Sequence, residues 1–175
     1  MQFSLEKIPL DEPTPVIEFL AHLPQIKTYL ELGVRCGRTI KRAASLVDKA
    51  VGVDLSYNAL SIDIEKNMTL HETATDNFFA SNNDKYDLIF IDASHHYEQV
   101  KMDLFNSIQI LNEGGLIALH DVNPLSSDLT SPDYCSDSYK ITKYIYEHYT
   151  DYQFIVLNHD QAGVGILQKK LSLNP

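Results

Sequence analysis

The chain has 175 residues, 44% of them hydrophobic and 22% charged, and a formal net charge of -10, which suits one α/β domain and not two. The acidic balance argues against a nucleic-acid partner, because phosphates call for a basic stripe, and the pairs Lys41-Arg42 and Lys169-Lys170 read as solvated element ends. No stretch approaches a membrane span, the N-terminus lacks a signal-peptide layout, and Cys36 and Cys135 are too far apart for metal-type spacing, so a cytoplasmic protein with a small-molecule partner is expected.

Residues 1–13 are mixed and proline-punctuated and read as an arm. Thr14-Pro15 opens a helix, with Thr14 as N-cap and Pro15 at its first position, and the helix stops near Pro24. An arm and helix over 1–26 therefore precede a single domain over 27–175. Tyr29-Leu30-Glu31-Leu32 is an apolar strand ending in a glycine-punctuated turn, Gly33-Val34-Arg35-Cys36-Gly37, and a helix follows from Arg38 to Asp48. Ala50–Asp54 is a second buried strand ending in an acid. A helix is expected over Asn58–Lys66, a third strand over Met68–Thr73 and a short helix over Asp76–Ser81.

Tyr86–Asp92 is continuously apolar in its middle, as a strand covered on both faces must be. A long amphipathic helix runs from His96 to Leu111, with Val100, Leu104 and Ile108 at helical spacing, and Asn112–Gly115 is expected to close it as a left-handed cap. Leu116–Asp121 is a fifth strand, residues 123–138 a polar loop and Ser138–His148 a tyrosine-rich helix. The strands Tyr152–Leu157 and Gly163–Gln168 are separated by a short turn, which makes them antiparallel. Alternating strands and helices predict a doubly wound, Rossmann-like, mostly parallel seven-stranded sheet ending in that antiparallel hairpin.

In such sheets ligands bind outside the carboxyl ends of the strands. The residues there are Glu31, Asp54, Asp92 and Asp121, with His95, His96 and His120 close by. An acid at one strand end is commonly a helix cap. Acids at four of them suggest a nearby metal or cationic ligand. The first turn can offer backbone amides to an anion, and Asp54 can accept from both hydroxyls of a ribose. A dinucleotide fingerprint would place a second glycine at Arg35, so a pyrophosphate site is missing. On a regular strand His120 would face away from Asp121.

Glu31-x-Gly33-x-x-x-Gly37 followed by Asp54 resembles the first two motifs of class I S-adenosylmethionine-dependent methyltransferases. Asp92-Ala93-Ser94-His95 together with His120-Asp121 is similar to the small-molecule O-methyltransferase subgroup, which includes antibiotic-sugar and catechol O-methyltransferase-like enzymes. The resemblance implies S-adenosylmethionine bound by Glu31, Gly33, Gly37, Asp54, Leu55 and Asp92, with Thr75-Asp76 near the adenine and Leu55 or Tyr57 over its ring. It implies a divalent cation such as Mg2+ on Asp92 and Asp121, with His95 as the base for a hydroxylated small acceptor. Alternatives are a metal-independent methyltransferase, in which Asp92 and His95 handle the acceptor directly, and a catalytically inactive cofactor-binding protein. The family's third metal ligand is replaced by Val122. Magnesium suits carboxylate oxygens, and a histidine titrates near neutral pH. Acceptor choice falls to the N-terminal arm and to loop residues such as Ser126, Asp128, Tyr134 and Tyr139. Either the acceptor is small or a second subunit, in a homo-oligomer, closes the site.

Overall fold

Strands with no polar face must be sandwiched between helices, and the central ones here are. The computed structural model describes residues 12–170. Nearly all of the arm expected over 1–13 lies outside them. Strands β1 (Thr28–Leu32), β2 (Lys49–Asp54) and β4 (Tyr86–Ile91) are buried almost throughout. With β3 (Met68–Glu72), β5 (Leu111–Leu119), β6 (Tyr152–Leu157) and β7 (Val164–Lys169) they form one sheet in the order β3-β2-β1-β4-β5-β7-β6. The first five are mutually parallel, and β7 runs antiparallel to both of its neighbours. This is the expected seven-stranded sheet, with the last strand inserted between β5 and β6.

Helices α1 (Thr14–Ala21) and α2 (Arg38–Ala44) cover one face. Helices α3 (Thr75–Ser81), α4 (Tyr97–Gln109) and α5 (Ile141–His148) cover the other. The strand order reverses between β1 and β4, and the crevice such a reversal opens lies at their carboxyl ends. At the opposite end Asp87 ties three strands together. Its carboxylate accepts from the Lys27 and Thr28 amides and the Thr28 hydroxyl at 2.9 Å, and from the Asn112 amide at 2.7 Å. Burial opposes its ionisation, but these bonds outweigh it and hold the carboxyl below its ordinary range.

Three local expectations are corrected. Helix α1 begins at Thr14 with Pro13 as its cap, and the Thr14 hydroxyl is 2.8 Å from that of Thr39, joining α1 to α2. Residues 58–66 form no helix. Their apolar residues Leu60 and Ile62 alternate, and both fold over Gly37, where an added Cβ would lie 2.8 and 2.7 Å from their side chains. The glycines at 114 and 115 do not cap α4. The helix stops at Gln109, because the Tyr86 amide takes the Ile110 carbonyl at 2.9 Å and Leu111 pairs with Tyr86. Gly114, at φ +76, then lies where the register shifts, as in a β-bulge.

Helix α4 carries two polar residues, Asp103 and Ser107, with no solvent exposure. Asp103 Oδ2 and Ser107 Oγ have no hydrogen-bond partner. Burial raises the Asp103 carboxyl to about 6, against the hydrogen bonds from Thr75 and Gln99 and with help from the charge of Asp76. An unfolded aspartate titrates near 4, so between about pH 4 and 6 the unfolded chain has released a proton that the native chain still holds. Stability therefore falls as pH rises through that window. Asp103→Asn should remove this fall and stabilise the protein at pH 7.5 by on the order of 2 kcal/mol, as measured by urea melts at pH 4.5 and 7.5.

Candidate active site

The turn after β1 is shaped by what it must pass. Gly33 has φ +90, and an added Cβ would lie 2.2 Å from the Asp92 carbonyl oxygen and 2.6 Å from the Ala93 Cα. Only glycine lets the end of β1 cross the end of β4 this closely. Asp54 holds the turn in place: its Oδ2 accepts from the Val34 and Arg35 amides at 2.8 Å each, and its Oδ1 from the Ser56 amide at 3.1 Å. Those turn amides therefore serve Asp54, whereas the sequence predicts that they face an external anion. Arg35, at φ +50, completes the bend.

Below the turn, the Tyr29 hydroxyl donates to Glu31 Oε2 at 2.5 Å. Glu31 is buried, and that burial raises its carboxyl far above the ordinary range, with the charge of Asp92 adding to it, while the bonds from Tyr29 and the Ile40 amide oppose the rise.

Two adjoining hollows open above these residues, of about 820 and 500 Å³, and share Gly33, Asp54 and Ala93 as lining. The larger brings together Glu31, Asp92, His95, His120 and Asp121, and is roofed by Tyr134 and Cys135 of the long loop. The smaller is lined by Leu55, Thr75, Asp76 and Gln99. Gly37 is not brought to either hollow: at φ +83 it caps α2 beneath Leu60 and Ile62. Tyr57 is also elsewhere, its hydroxyl 3.0 and 3.1 Å from the Gly52 and His71 carbonyls. Of the loop residues expected over the site, Tyr134 reaches the hollow, whereas Ser126, Asp128 and Tyr139 do not line it. The described end of the arm does line it, through Glu12 and Pro13.

The ends of β4 and β5 form the charged wall. One donor atom each from Asp92, His95 and Asp121 lies within 4.8 Å of the others. His95 Nε2 is 3.2 Å from Asp121 Oδ2, and the Cys135 thiol donates to Asp121 Oδ1 at 3.2 Å. Burial and the neighbouring Asp121 push the Cys135 thiol up to about 12.

His120 does not face away. The strand ends at Leu119, and Asp121 adopts φ +59, a left-handed conformation that aspartate tolerates better than most residues. This turn brings both side chains to the same wall. His120 Nδ1 is 3.2 Å from Asp92 Oδ1 and 3.4 Å from Asp121 Oδ1, while its Nε2 is 2.9 Å from Asp160 Oδ2. Burial disfavours the imidazolium. The charge of Asp92, the bonds to Asp160 and Asp92 and the charge of Asp121 outweigh this, holding His120 well above the ordinary imidazole range.

Asp160, in the turn between β6 and β7, escaped the sequence reading because its partner lies forty residues earlier. Its remaining oxygen accepts from the Ala162 and Gly163 amides at 3.0 and 2.6 Å. Burial opposes ionisation of Asp160, but His120 and these amides hold it below the carboxylate range. Asp121 moves the other way, raised first by burial and then by Asp92, against the opposing charges of His120 and His95. Asp160 thus joins Asp92 and Asp121 as a counter-ion of His120.

The sheet order and the strand-end site define the class I S-adenosylmethionine-dependent methyltransferase fold. A family model described as a methyltransferase domain matches residues 30–122, and the chain belongs to that family. Solved structures share the fold at low identity. The O-methyltransferase TomG from Streptomyces achromogenes, involved in tomaymycin synthesis and solved with S-adenosylmethionine, is 13% identical at TM-score 0.69, over 89% of this chain and 78% of that one. An O-methyltransferase from Bacillus cereus, solved with S-adenosylhomocysteine, is 15% identical at TM-score 0.66, over 93% and 84%. An rRNA methylase from Streptococcus thermophilus is 14% identical at TM-score 0.67, over 90% and 95%. No curated protein matches by sequence. Among the described residues no helix is long and apolar enough to cross a membrane.

Asp160→Ala would remove the shortest carboxylate contact of a buried imidazolium and leave two loop amides without an acceptor. It should lower stability by about 2–4 kcal/mol in urea melts at pH 7.5, and more than Asp133→Ala, an exposed change on the long loop that lines the same hollow.

Proposed function

We propose that the chain transfers the methyl group of S-adenosylmethionine to a hydroxyl of a small molecule. The observation that carries this reading is the convergence of Asp92, His95 and Asp121 on the hollow that adjoins the Gly33–Asp54 turn. In this reading residues 27–175 act as one methyltransferase domain. The cofactor lies along the shared lining. Its ribose rests at Asp54 and its adenine between Leu55 and Thr75-Asp76, and its methionine part runs over Gly33 and Glu31 towards Asp92. Leu55 is 74% exposed, and an adenine ring laid across it would cover that apolar surface. An acidic protein of this charge repels a phosphate backbone, which favours a small acceptor over RNA.

The chemistry follows from the wall. With its Nε2 proton directed at Asp121, the His95 ring keeps its lone pair on Nδ1, the atom left to take the acceptor's proton. The acceptor oxygen attacks the methyl carbon, the carbon–sulfur bond breaks with its electron pair going to sulfur, and the hydroxyl proton ends on His95. His120 is already held as a cation by three carboxylates and is unsuited to this step.

A divalent cation suits the same place. Two carboxylates and an imidazole with donor atoms within 4.8 Å have the spread of ligands around one metal ion. Magnesium prefers oxygen, so Asp92 and Asp121 would hold it, leaving His95 as base. A bound cation lowers the pKa of a hydroxyl it touches. Val122 has no side-chain oxygen, and Asn123, whose Nδ2 donates to Asn158 Oδ1 at 2.9 Å, does not line the larger hollow.

His95→Ala should reduce turnover by about 10²–10⁴-fold while changing S-adenosylhomocysteine affinity, measured by calorimetry, less than about twofold. Unchanged turnover would remove His95 from the reaction. Turnover should also fall on chelation and return with added magnesium, and full activity in the chelator would leave the metal-independent route.

A further inference from the structure

The smaller hollow contains an arrangement that the methyl-transfer chemistry does not need. Gln99, half-buried on α4, has its Nε2 3.2 Å from Thr75 Oγ1, 3.2 Å from Asp76 Oδ1 and 3.1 Å from Asp103 Oδ1. The Thr75 hydroxyl in turn bonds to Asp103. Asp103 is fully buried, and its second oxygen is unpartnered. Asp76 is exposed and lines the hollow. A buried carboxylate with an unsatisfied oxygen costs stability that an apolar residue there would not. Its geometry accounts for its presence: it is the fixed end of a chain that runs through Gln99 to Asp76.

We infer that Gln99 and Asp103 are positioning residues that fix Asp76 as an acceptor for the exocyclic amino group of the cofactor's purine. The inference rests on the cofactor reading above. An exposed aspartate alone would rotate freely and bond to water. With Oδ1 held by Gln99, its Oδ2 is left to serve as the acceptor. A 6-amino purine offers a proton there. A 6-oxo purine would present an oxygen there in place of the amino proton, and a carboxylate held to accept that proton disfavours the exchange. The Gln99 amide has two protons, so it can hold Asp76 and stay tied to the Asp103–Thr75 pair at the same time.

The test compares calorimetric affinities for S-adenosylhomocysteine and its 6-oxo analogue, S-inosylhomocysteine, in the wild-type chain, Gln99→Met and Asp103→Leu. Two variants are used so that one decides if the other does not fold, as judged by thermal melts. The wild type should prefer the adenine compound by roughly 100-fold. Each variant should cut that preference by about tenfold, chiefly by weakening the adenine compound, with the affinity for the 6-oxo analogue held within about twofold. Parallel weakening of both ligands at an unchanged ratio would show that Gln99 and Asp103 only support the fold, and would overturn this inference while leaving the methyltransferase reading intact. A wild-type chain that binds neither compound would overturn both.

Discussion

The close crossing of β1 and β4 at Gly33 is the constraint on which the site depends. The carbonyl of Asp92 and the Cα of Ala93 lie where any larger residue at position 33 would put its Cβ. That contact brings the glycine turn, the start of the Asp92–His95 segment and the end of β2 into one crevice. Asp54 then locks the turn by accepting from the Val34 and Arg35 amides. A carboxylate bonded to backbone amides is a strong, short-range clamp. The same residue therefore closes the scaffold and presents its remaining acceptor capacity to the crevice, so loss of Asp54 would change both together.

Charge is the second organising term. Asp92, Asp121 and Asp160 would repel one another at this spacing, and burial would make their ionisation costly. His120 stands among them, bonded to Asp160 on one side and to Asp92 on the other. Its positive charge lets the wall keep anionic side chains in a partly enclosed place. The long loop adds the Cys135 thiol on Asp121 and the Ser138 hydroxyl on the Asp121 carbonyl, and so helps to fix the unusual backbone there. Asp103 illustrates the opposite case. It is a buried carboxylate without a cation, tolerated on α4 at a cost in stability, and stability given up for a binding geometry is common at functional sites.

Much of this was legible in the residues themselves. The apolar runs at 29–32, 50–53 and 88–91 could only be buried parallel strands, and the short link between the last two strands required an antiparallel end. The strand-end acids followed from the same reading. What escaped was set by distant partners. Residues 58–66 carry helix-compatible composition, but Leu60 and Ile62 gain more by packing over Gly37 than by forming a turn of helix. His120 was expected to point away because strand alternation was extended past Leu119, and only the left-handed Asp121 breaks it. Asp160 gave no local signal, since its role depends on β7 lying next to β5. The Gln99–Asp103 spacing could have been read as two residues on one helical face, but nothing in the sequence shows that Thr75 and Asp76 face them.

The central claim is that this crevice moves a methyl group from sulfur to oxygen. The most direct measurement is to incubate the protein with S-adenosylmethionine carrying a ¹³C-labelled methyl and a panel of hydroxylated small molecules, and to assign the labelled carbon in the products by NMR. The account predicts that the label appears as an oxygen-bound methyl on at least one acceptor. Label found on nitrogen, carbon or sulfur, or only on added RNA, would contradict it.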